Sequence, residues 1–227
     1  MNQDRAPVLV VAAHPDDEVL GCGGTIARLA GEGRAVHVLI LADGESARPQ
    51  AGIDEAAARA SAAQRAGEAL GVASVTCLGL PDNRLDTVDL LQVVQAIEAV
   101  LGRVQPATVL THHHGDVNID HRIAHEAVLA ACRPLPGSCV RELLFFEVPS
   151  STEWRPGSPA TAFAPTVFVD IGPALAAKMA ALEAYAAELR PAPHPRSREA
   201  IDALAAWRGA SAGVARAEAF MLGRSLR

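Results

Sequence analysis

The sequence lacks several features that point to particular classes of protein. It has no run of lysines or arginines, and its formal net charge is −6, so we expect no nucleic-acid-binding surface. No apolar stretch approaches the ~20 residues that span a membrane, and no basic segment leads into a long apolar core at the N-terminus. These absences predict a cytoplasmic protein without a membrane span.

The four cysteines form no CxxC pair. They are scattered along the chain, at Cys22, Cys77, Cys132 and Cys139. We interpret them as reduced, mostly buried thiols of a cytosolic protein rather than as a disulfide framework.

Short apolar runs alternate with longer stretches of helical character. The predicted strands are Val8–Ala13, Val36–Ala42, Val75–Leu78, Thr108–Thr111, Val140–Val148 and Thr166–Ile171. The predicted helices are Glu18–Gly31, Asp54–Leu70, Asp86–Val104, Ile119–Cys132, Pro173–Leu189 and Ser197–Gly209. Nearly all-apolar strands separated by helices are typical of a parallel sheet covered on both faces.

The pattern shows no internal repeat and no sharp break in composition. We therefore predict a single α/β domain over residues 1–227, built in three layers around a mostly parallel sheet of order 3-2-1-4-5 plus a later strand. Three segments are predicted to be long surface loops that shape substrate access: Asp43–Ile53, His113–Asn118 and Pro149–Pro165.

The most informative segment is His14-Pro15-Asp16-Asp17-Glu18, which directly follows the first apolar run. An imidazole and three carboxylates in such close sequence would repel one another without a cation, and a bound divalent metal is the simplest remedy. His14 and Asp17 are three residues apart at a helix start and can face one ion, whereas Asp16 faces elsewhere. The alternative, that an aspartate only caps the helix, explains one carboxylate but not the cluster.

A second polar cluster follows the fourth strand. It reads His112-His113-His114-Gly115-Asp116-Val117-Asn118-Ile119-Asp120-His121 and continues to His125, so the two clusters hold six of the eight histidines. Strands one and four are neighbours in the predicted order, and the crevice between them would bring the clusters together. His121 is the predicted third ligand. The other histidines are equally well explained as solvated or supporting residues, and a His121–His125 metal pair is a weaker alternative.

The glycines of Gly21-Cys22-Gly23-Gly24 resemble a dinucleotide-binding loop only superficially. The G-x-G-x-x-G spacing is absent, and the glycines follow the acidic cluster instead of preceding the helix. Close packing of a helix on the sheet is the favoured interpretation.

These motifs resemble the PIG-L/LmbE-like N-acetylglucosamine deacetylases. The resemblance rests on Ala13-His14-Pro15-Asp16-Asp17-Glu18 and Asp120-His121, and extends to Asp43-Gly44 and Pro81-Asp82-Asn83. It implies a Rossmann-like sheet, one catalytic Zn²⁺, and removal of an N-acetyl group from an amino sugar or similar amine. By position, it implies that His14, Asp17 and His121 bind zinc and that Asp16 is the general base. Such a site can also accept Fe²⁺ or Co²⁺.

The sequence departs from the family at Asn118, where many members have a histidine assigned to the oxyanion or to the leaving amine. Asparagine can donate a hydrogen bond to an oxyanion but cannot act as an acid at neutral pH. Either Asp16 carries the proton to the amine, which we favour, or another histidine substitutes, from the second cluster or His194. Asp16 and Asn118 are therefore the predicted catalytic residues.

Seven residues in loops or at helix starts are candidates for substrate contact: Asp43, Arg59, Asn83, Arg84, Trp154, His194 and Arg196. The loop His194-Pro195-Arg196-Ser197 could close over the crevice and offer cations to a phosphate or carboxylate. Its alternative is a simple connection with solvated arginines, and Trp154 could equally anchor a loop.

The sequence is consistent with three functions. The first is a zinc-dependent hydrolase whose partner is a small N-acetylated sugar or conjugate. The second is a metal-binding regulatory or non-catalytic domain, and the third is a nucleotide-binding enzyme. The acetylated substrate and the oligomeric state, a homo-oligomer included, stay open.

Overall fold

The computed structural model describes residues 5–47 and 53–227, and only the main chain of Ile53. Part of the predicted loop Asp43–Ile53, residues 48–52, lies outside the described residues. The strands are β1 (Val8–Ala12), β2 (Val36–Ala42), β3 (Ser74–Leu80), β4 (Thr108–His112), β5 (Glu142–Phe146), β6 (Val167–Asp170) and β7 (Ala217–Ser225). The helices are α1 (Asp17–Gly31), α2 (Ile53–Leu70), α3 (Leu90–Val104), α4 (Ile119–Ala131), α5 (Leu175–Ala184) and α6 (Arg198–Ala212).

The seven strands form one sheet in the order β3-β2-β1-β4-β5-β7-β6. The first five strands are parallel, in the order predicted from the sequence. β1 pairs with β2 on one side and with β4 on the other, so the direction of winding changes between β1 and β4. The crevice expected at this point therefore lies beyond the carboxyl ends of these two strands.

Alternate residues of β1 face two separate hydrophobic cores. Val8 and Val10 pack with residues of α1, α2, α5 and α6 on one face of the sheet. Leu9 and Val11 pack with α3 and α4 on the other. This alternation explains why the central strands read as continuous apolar runs, since both of their faces are buried. The predicted three-layer α/β architecture is confirmed.

Helix α1 is kinked at Cys22, whose φ of −149° is not helical. The glycines on either side allow a close approach to the sheet. A Cβ on Gly24 would lie 2.8 Å from the Ile171 side chain, and one on Gly21 would overlap the Phe146 ring. The packing role expected for these glycines is thus supported by the structure.

The C-terminal third differs from the prediction in two respects. The predicted helix Pro173–Leu189 is instead a 3₁₀ turn, the helix α5 and a second 3₁₀ turn, Ala186–Glu188. β7 was not predicted; it runs antiparallel to both neighbours and separates β5 from β6. Its first half is buried and its second half, which contains Gly223 and Arg224, is largely exposed, so it shows no continuous strand pattern. Among the described residues, none of the helices has the length and apolar character needed to cross a bilayer.

Candidate metal centre

His14, Asp17 and His121 meet at the carboxyl ends of β1 and β4. The Oδ2 atom of Asp17 lies 3.2 Å from Nδ1 of His14 and 3.2 Å from Nε2 of His121. All three side chains are buried, and their ligand atoms form a group that could hold a metal ion. The structure therefore brings the three predicted ligands together.

Local structure fixes this arrangement. Asp17 is the first residue of α1 and His121 lies in the first turn of α4, so both ligands stand at helix N-termini over the crevice. The main-chain N–H of His14 donates to Asp17 Oδ2 at 2.9 Å, which joins the strand end to the helix start. The positive ends of the two helices help to keep nearby carboxylates ionised.

The donor set fits a divalent cation. Two imidazole nitrogens and one carboxylate are a combination that zinc enzymes use when the fourth position stays open. Asp17 Oδ1 is buried and has no hydrogen-bond partner among the described residues. A buried carboxylate oxygen without a partner is costly unless a cation neutralises it, so this atom argues for a bound metal.

A second set of carboxylates contacts the two histidines that are predicted to bind the metal. Among the described residues, His14, Asp82 and Asp120 form a second buried group that could hold an ion. Asp120 Oδ2 lies 3.0 Å and Asp82 Oδ1 3.2 Å from Nε2 of His14. On the other ligand, Asp116 Oδ2 lies 3.0 Å from Nδ1 of His121. Such partners set the tautomer and ring orientation of a metal-binding histidine, so the remaining nitrogen of each ring faces the centre.

Asp116 is itself held by Ser151 and Thr152, whose hydroxyls both donate to it. These hydroxyls come from the predicted loop Pro149–Pro165, which therefore supports the metal centre. Sequence reasoning assigned no role to Asp82, Asp116, Asp120 or these hydroxyls. Asp82 and Asp120 lie in motifs that carry the family resemblance, which gave them no individual role. For Asp116 and the two hydroxyls, the only signal was their polar character near strand ends, which does not distinguish supporting residues from exposed ones.

The pKa values of the ligands reflect their mutual contacts. Burial lowers the pKa of His121, but Asp17 and Asp116 outweigh it and raise that pKa to about 9. Burial likewise opposes ionisation of Asp116, but the contact with His121 brings its pKa down to about 2. Asp17 is similar: burial favours its neutral form, yet the positive charge of His121 holds its pKa well below the usual range. The cluster thus keeps its carboxylates ionised.

Asp16 lies beside the three ligands and is paired with Arg196. Nη1 of Arg196 lies 2.8 Å from Asp16 Oδ2, while Nε of Arg196 donates to Ser150 Oγ at 2.7 Å. Burial raises the pKa of Asp16, and Arg196 opposes that shift. Asp16 occupies the N-cap position of α1, but its side chain makes no capping hydrogen bond. Helix capping therefore does not explain this aspartate.

The remaining histidines of the second cluster have other partners. His113 Nε2 and His114 Nε2 are hydrogen-bonded to the carbonyl oxygens of Thr161 and Ala160 and tie down the loop Pro149–Pro165. His125 Nδ1 is hydrogen-bonded to the carbonyl oxygen of His112 at 2.9 Å. His125 is absent from the groups of described side chains that could hold a metal, so the His121–His125 pair is not supported.

His112 supports the centre without being a predicted ligand. Its Nε2 accepts the Ala13 N–H at 2.8 Å, and its ring stacks on that of His121 with centroids 4.0 Å apart. Since Nε2 is an acceptor, the proton of the neutral ring lies on Nδ1.

A cleft of about 320 Å³ opens over the centre. It is lined by His14, Asp16, Ala47, Arg59, Asp82, Asn83, Asn118, Glu188 and Arg196. Three of the predicted substrate contacts, Arg59, Asn83 and Arg196, are therefore in the cleft. Arg59 is held there by Glu188, whose Oε1 lies 2.9 Å from its Nη1.

The other four predicted contacts are not among the residues that line the cleft. Asp43 Oδ1 accepts the N–H groups of Glu45 and Ser46 and shapes a turn. Arg84 is exposed at a 3₁₀ turn. Trp154 is 53% exposed and packs edge to face on His194, as expected for a loop anchor. His194 Nδ1 accepts the N–H of Arg196, so it acts on the cleft through that residue.

Asn118 has a structural role in addition to its place in the cleft. It is the N-cap of α4, where its Oδ1 accepts the N–H of Asp120 at 2.8 Å. Its Nδ2 donates to Asn83 Oδ1 at 3.0 Å. One hydrogen of the Asn118 amide group thus binds Asn83, another cleft residue. The other amide hydrogen has no hydrogen-bond acceptor among the described residues.

Comparison with known proteins places this geometry in a family. The family model described as PIG-L, GlcNAc-PI de-N-acetylase, matches residues 9–132, more than half of the 227-residue chain. The uncharacterized deacetylase YaiS of Escherichia coli (strain K12) is 30% identical over 152 residues, covering 65% of this chain and 76% of that protein.

Two further comparisons extend over more of the chain. The 4-oxalmesaconate hydratase of Pseudomonas putida (strain KT2440) is 33% identical over 212 residues, covering 83% of this chain and 76% of that protein. The solved structure of N,N′-diacetylchitobiose deacetylase from Pyrococcus horikoshii matches with a TM-score of 0.79 at 21% identity, over 98% of this chain and 85% of that one, and shows the shared fold. The chain belongs to the PIG-L family, in which its relatives include deacetylases and a hydratase.

Proposed function

We propose that this protein is a zinc-dependent hydrolase that removes the N-acetyl group from an amino sugar or an amino-sugar conjugate. The observation that carries the proposal is the buried group of His14, Asp17 and His121 with the carboxylate of Asp16 beside it. The relatives named as deacetylases support the reaction class. The family description, which names N-acetylglucosamine, supports the substrate class.

Each residue has a separate task in this reaction. Zn²⁺ held by the three ligands would supply Lewis acidity, activating water and polarising the acetyl carbonyl. Asp16 accepts the proton that water loses as its oxygen attacks the carbonyl carbon. When the carbon–nitrogen bond breaks, the same proton passes from Asp16 to the amine, so that one amide and one water give acetate and a free amine.

The contacts of Asn118 favour Asp16 as the only proton carrier. An asparagine cannot supply a proton to the leaving nitrogen, and its Oδ1 is occupied as the cap of α4. The other candidate acids, His194 and the histidines of the second cluster, are not among the residues that line the cleft. Nδ1 of His194 is also engaged by the N–H of Arg196. Nδ2 of Asn118 can instead donate a hydrogen bond to the substrate.

Metal analysis combined with an acetate assay tests the proposal. We expect about one zinc per chain, and acetate release from N-acetylglucosamine or one of a panel of its conjugates. Fe²⁺ or Co²⁺ in place of zinc would change the cofactor but keep the reaction. Protein purified without chelator that contains no metal would contradict the ligand assignment. Protein that binds zinc but releases acetate from no member of the panel would favour a non-catalytic metal-binding domain or a different reaction, such as the hydration described next.

A second candidate is the addition of water to an unsaturated carboxylate. It is favoured by the relative named as a hydratase, which covers 83% of this chain. It also needs no acid at position 118, because the hydration of a carbon–carbon double bond releases no amine that must be protonated. Two guanidinium groups in the cleft, Arg59 and Arg196, could bind carboxylates. Loss of ultraviolet absorbance from an unsaturated dicarboxylate, without acetate release from any amide, would identify this reaction.

A further inference from the structure

Asp16 has an unusual main-chain conformation. Its φ is 115° and its ψ is −28°, in the left-handed region that residues other than glycine rarely adopt. Such a conformation is unfavourable and persists only where the surroundings impose it. The conformation decides where the Asp16 carboxylate points, so whatever holds it also positions the proposed base.

Glu18 is hydrogen-bonded to the main chain of Asp16. Its Oε2 accepts the N–H of Asp16 at 3.1 Å, and its Oε1 accepts the hydroxyl of Tyr185 at 2.6 Å. Glu18 is 2% exposed and Tyr185 is 3% exposed, so water does not compete for either contact. Tyr185 is the only tyrosine of the chain. Without its hydroxyl, one oxygen of this buried carboxylate would lose its hydrogen-bond donor.

The segment that begins at Tyr185 also reaches the cleft. The carbonyl oxygen of Tyr185 accepts the N–H of Glu188, the residue that pairs with Arg59 in the cleft wall. Further along, Arg196 binds the carboxylate of Asp16. One C-terminal segment therefore restrains Asp16 twice, at its main chain through Glu18 and at its side chain through Arg196.

We propose that Tyr185 is a positioning residue that acts through Glu18 to hold Asp16 in its left-handed conformation. The inference rests on the proposed function, because it assigns the role of Asp16 as base to a conformation maintained from outside the metal-binding motif. Within the described part of the chain, neither Tyr185 nor Glu18 lines the cleft or belongs to the groups of side chains that could hold a metal. Their removal should therefore lower the rate of the chemical step without weakening binding of zinc or substrate.

The test compares Tyr185→Phe with Thr108→Val, measured with the zinc-loaded enzyme. Thr108 is also buried, and its hydroxyl accepts a hydrogen bond from Arg34 at the amino end of β4, away from the metal centre. For Tyr185→Phe we expect kcat to fall about tenfold, the size expected from the loss of one buried hydrogen bond, with KM and zinc content unchanged. Thr108→Val should leave kcat unchanged. Unaltered kcat in Tyr185→Phe, or a loss explained by reduced zinc content, would overturn the proposal.

A second variant and a double-mutant comparison separate positioning from general destabilisation. Glu18→Gln keeps the shape of the side chain but retains only one acceptor oxygen, so its kcat should also fall. In the Asp16→Asn background, Tyr185→Phe should have no further effect on the residual rate, because the group it positions is already disabled. A full additional loss in that background would show that Tyr185 acts by another route.

A crystal structure of Tyr185→Phe supplies a readout that does not depend on activity. We expect Asp16 to leave its left-handed conformation or to lose the contact with Arg196. An unchanged Asp16 would contradict the inference even if the enzyme were slower. Conversely, if wild-type protein released no acetate from any substrate while Asp16 moved in the variant, the proposed function would fail and the positioning role would stand.

Discussion

Asp116 and His121 form a buried pair in which the carboxylate Oδ2 lies 3.0 Å from Nδ1 of the ring. The contact leaves Nε2 of His121 to face Asp17 in the metal centre. We predict that Asp116→Asn retains the fold and all three ligands but weakens zinc binding about 10- to 100-fold, as is typical for partners of ligating histidines. Competition with a chromogenic chelator measures this affinity, and wild-type affinity in the variant would exclude the role.

Asp16→Asn should separate catalysis from metal binding. The amide cannot accept a proton from water, so we expect turnover to fall by about 10²- to 10⁴-fold, the usual contribution of a general base. Zinc content should stay near one per chain because Asp16 is not a ligand. Asp202→Asn is the matched control, since Asp202 pairs with Arg216 at the surface. Near-normal turnover in Asp16→Asn would remove this residue from the mechanism.

The capping role and the donor role of Asn118 can be separated with two substitutions, only one of which keeps a capping oxygen. Asn118→Ala removes both the helix cap and the amide donor, and should lower the free energy of unfolding by about 1 kcal/mol through loss of the cap. Asn118→Asp preserves a capping oxygen but removes the donor. We expect moderately slower turnover in both variants, with zinc still bound.

Urea unfolding and steady-state rates, measured on both proteins, distinguish the two roles of Asn118. If Asn118→Asp were as active as wild type, the amide donor would have no part in the reaction. Loss of zinc from either variant would contradict the ligand assignment.

The close packing of the α1 glycines against the sheet can be tested by adding a methyl group at one of them. A Cβ on Gly21 would overlap the Phe146 ring, so Gly21→Ala should lower the free energy of unfolding by about 1–3 kcal/mol. Gly102→Ala is the control: Gly102 is also helical, and a Cβ there meets nothing within 4 Å. It should raise stability by about 0.8–1 kcal/mol because alanine favours helix. Equal effects of the two changes on denaturant unfolding would exclude the packing role.

The lowered pKa of His113 predicts that the stability of the fold depends on pH. Burial lowers its pKa below the usual 6.5, although the hydrogen bond to the Thr161 carbonyl opposes the shift. The unfolded chain therefore takes up a proton at a higher pH than the folded protein does. The stability contributed by neutral His113 is fully present above pH 6.5 and is lost as the pH falls below it, by at most about 1.4 kcal/mol per pH unit for one group.

His113→Gln keeps a donor for the Thr161 carbonyl without a titrating ring. We expect its unfolding free energy to fall less between pH 7 and pH 5.5 than that of the wild type. Comparing the two proteins removes the contribution of groups that both contain, such as His125, whose pKa burial also lowers. Identical slopes would show that His113 does not titrate differently in the two states.

Much of this organisation follows from local patterns in the sequence. The buried strands are apolar on both faces. The predicted metal ligands lie between two of these strands and the first turns of the helices that follow them, so their meeting point could be predicted from strand order. Strand β7 could not be predicted, because only its first half is buried and the apolar pattern is therefore incomplete. The break of the predicted helix after Ala184 also lacked a signal, since Tyr185-Ala186-Ala187-Glu188 has good helix formers.

The contacts that restrain the site were least predictable. Tyr185 meets Glu18, and Arg196 meets Asp16, across more than 160 residues of sequence. Tyr185 has no neighbour in the chain that marks it as part of a site, and the loop around Arg196 indicated a contact with substrate but not with Asp16. Arg196 was proposed only as a substrate contact, whereas in the structure its guanidinium pairs with the carboxylate of Asp16. Such pairings depend on how the segment after α5 packs on the sheet, which no local pattern encodes.

The position of these restraints in the chain has a consequence for assembly. The three metal ligands have all been synthesised once residue 121 has been added, whereas Tyr185 and Arg196 emerge from the ribosome later. A nascent chain therefore carries all three proposed ligands, and Glu18, before it carries Tyr185 or Arg196. On the proposed roles, synthesis of the later segment adds the contacts that orient the Asp16 carboxylate to a chain that already has its ligands.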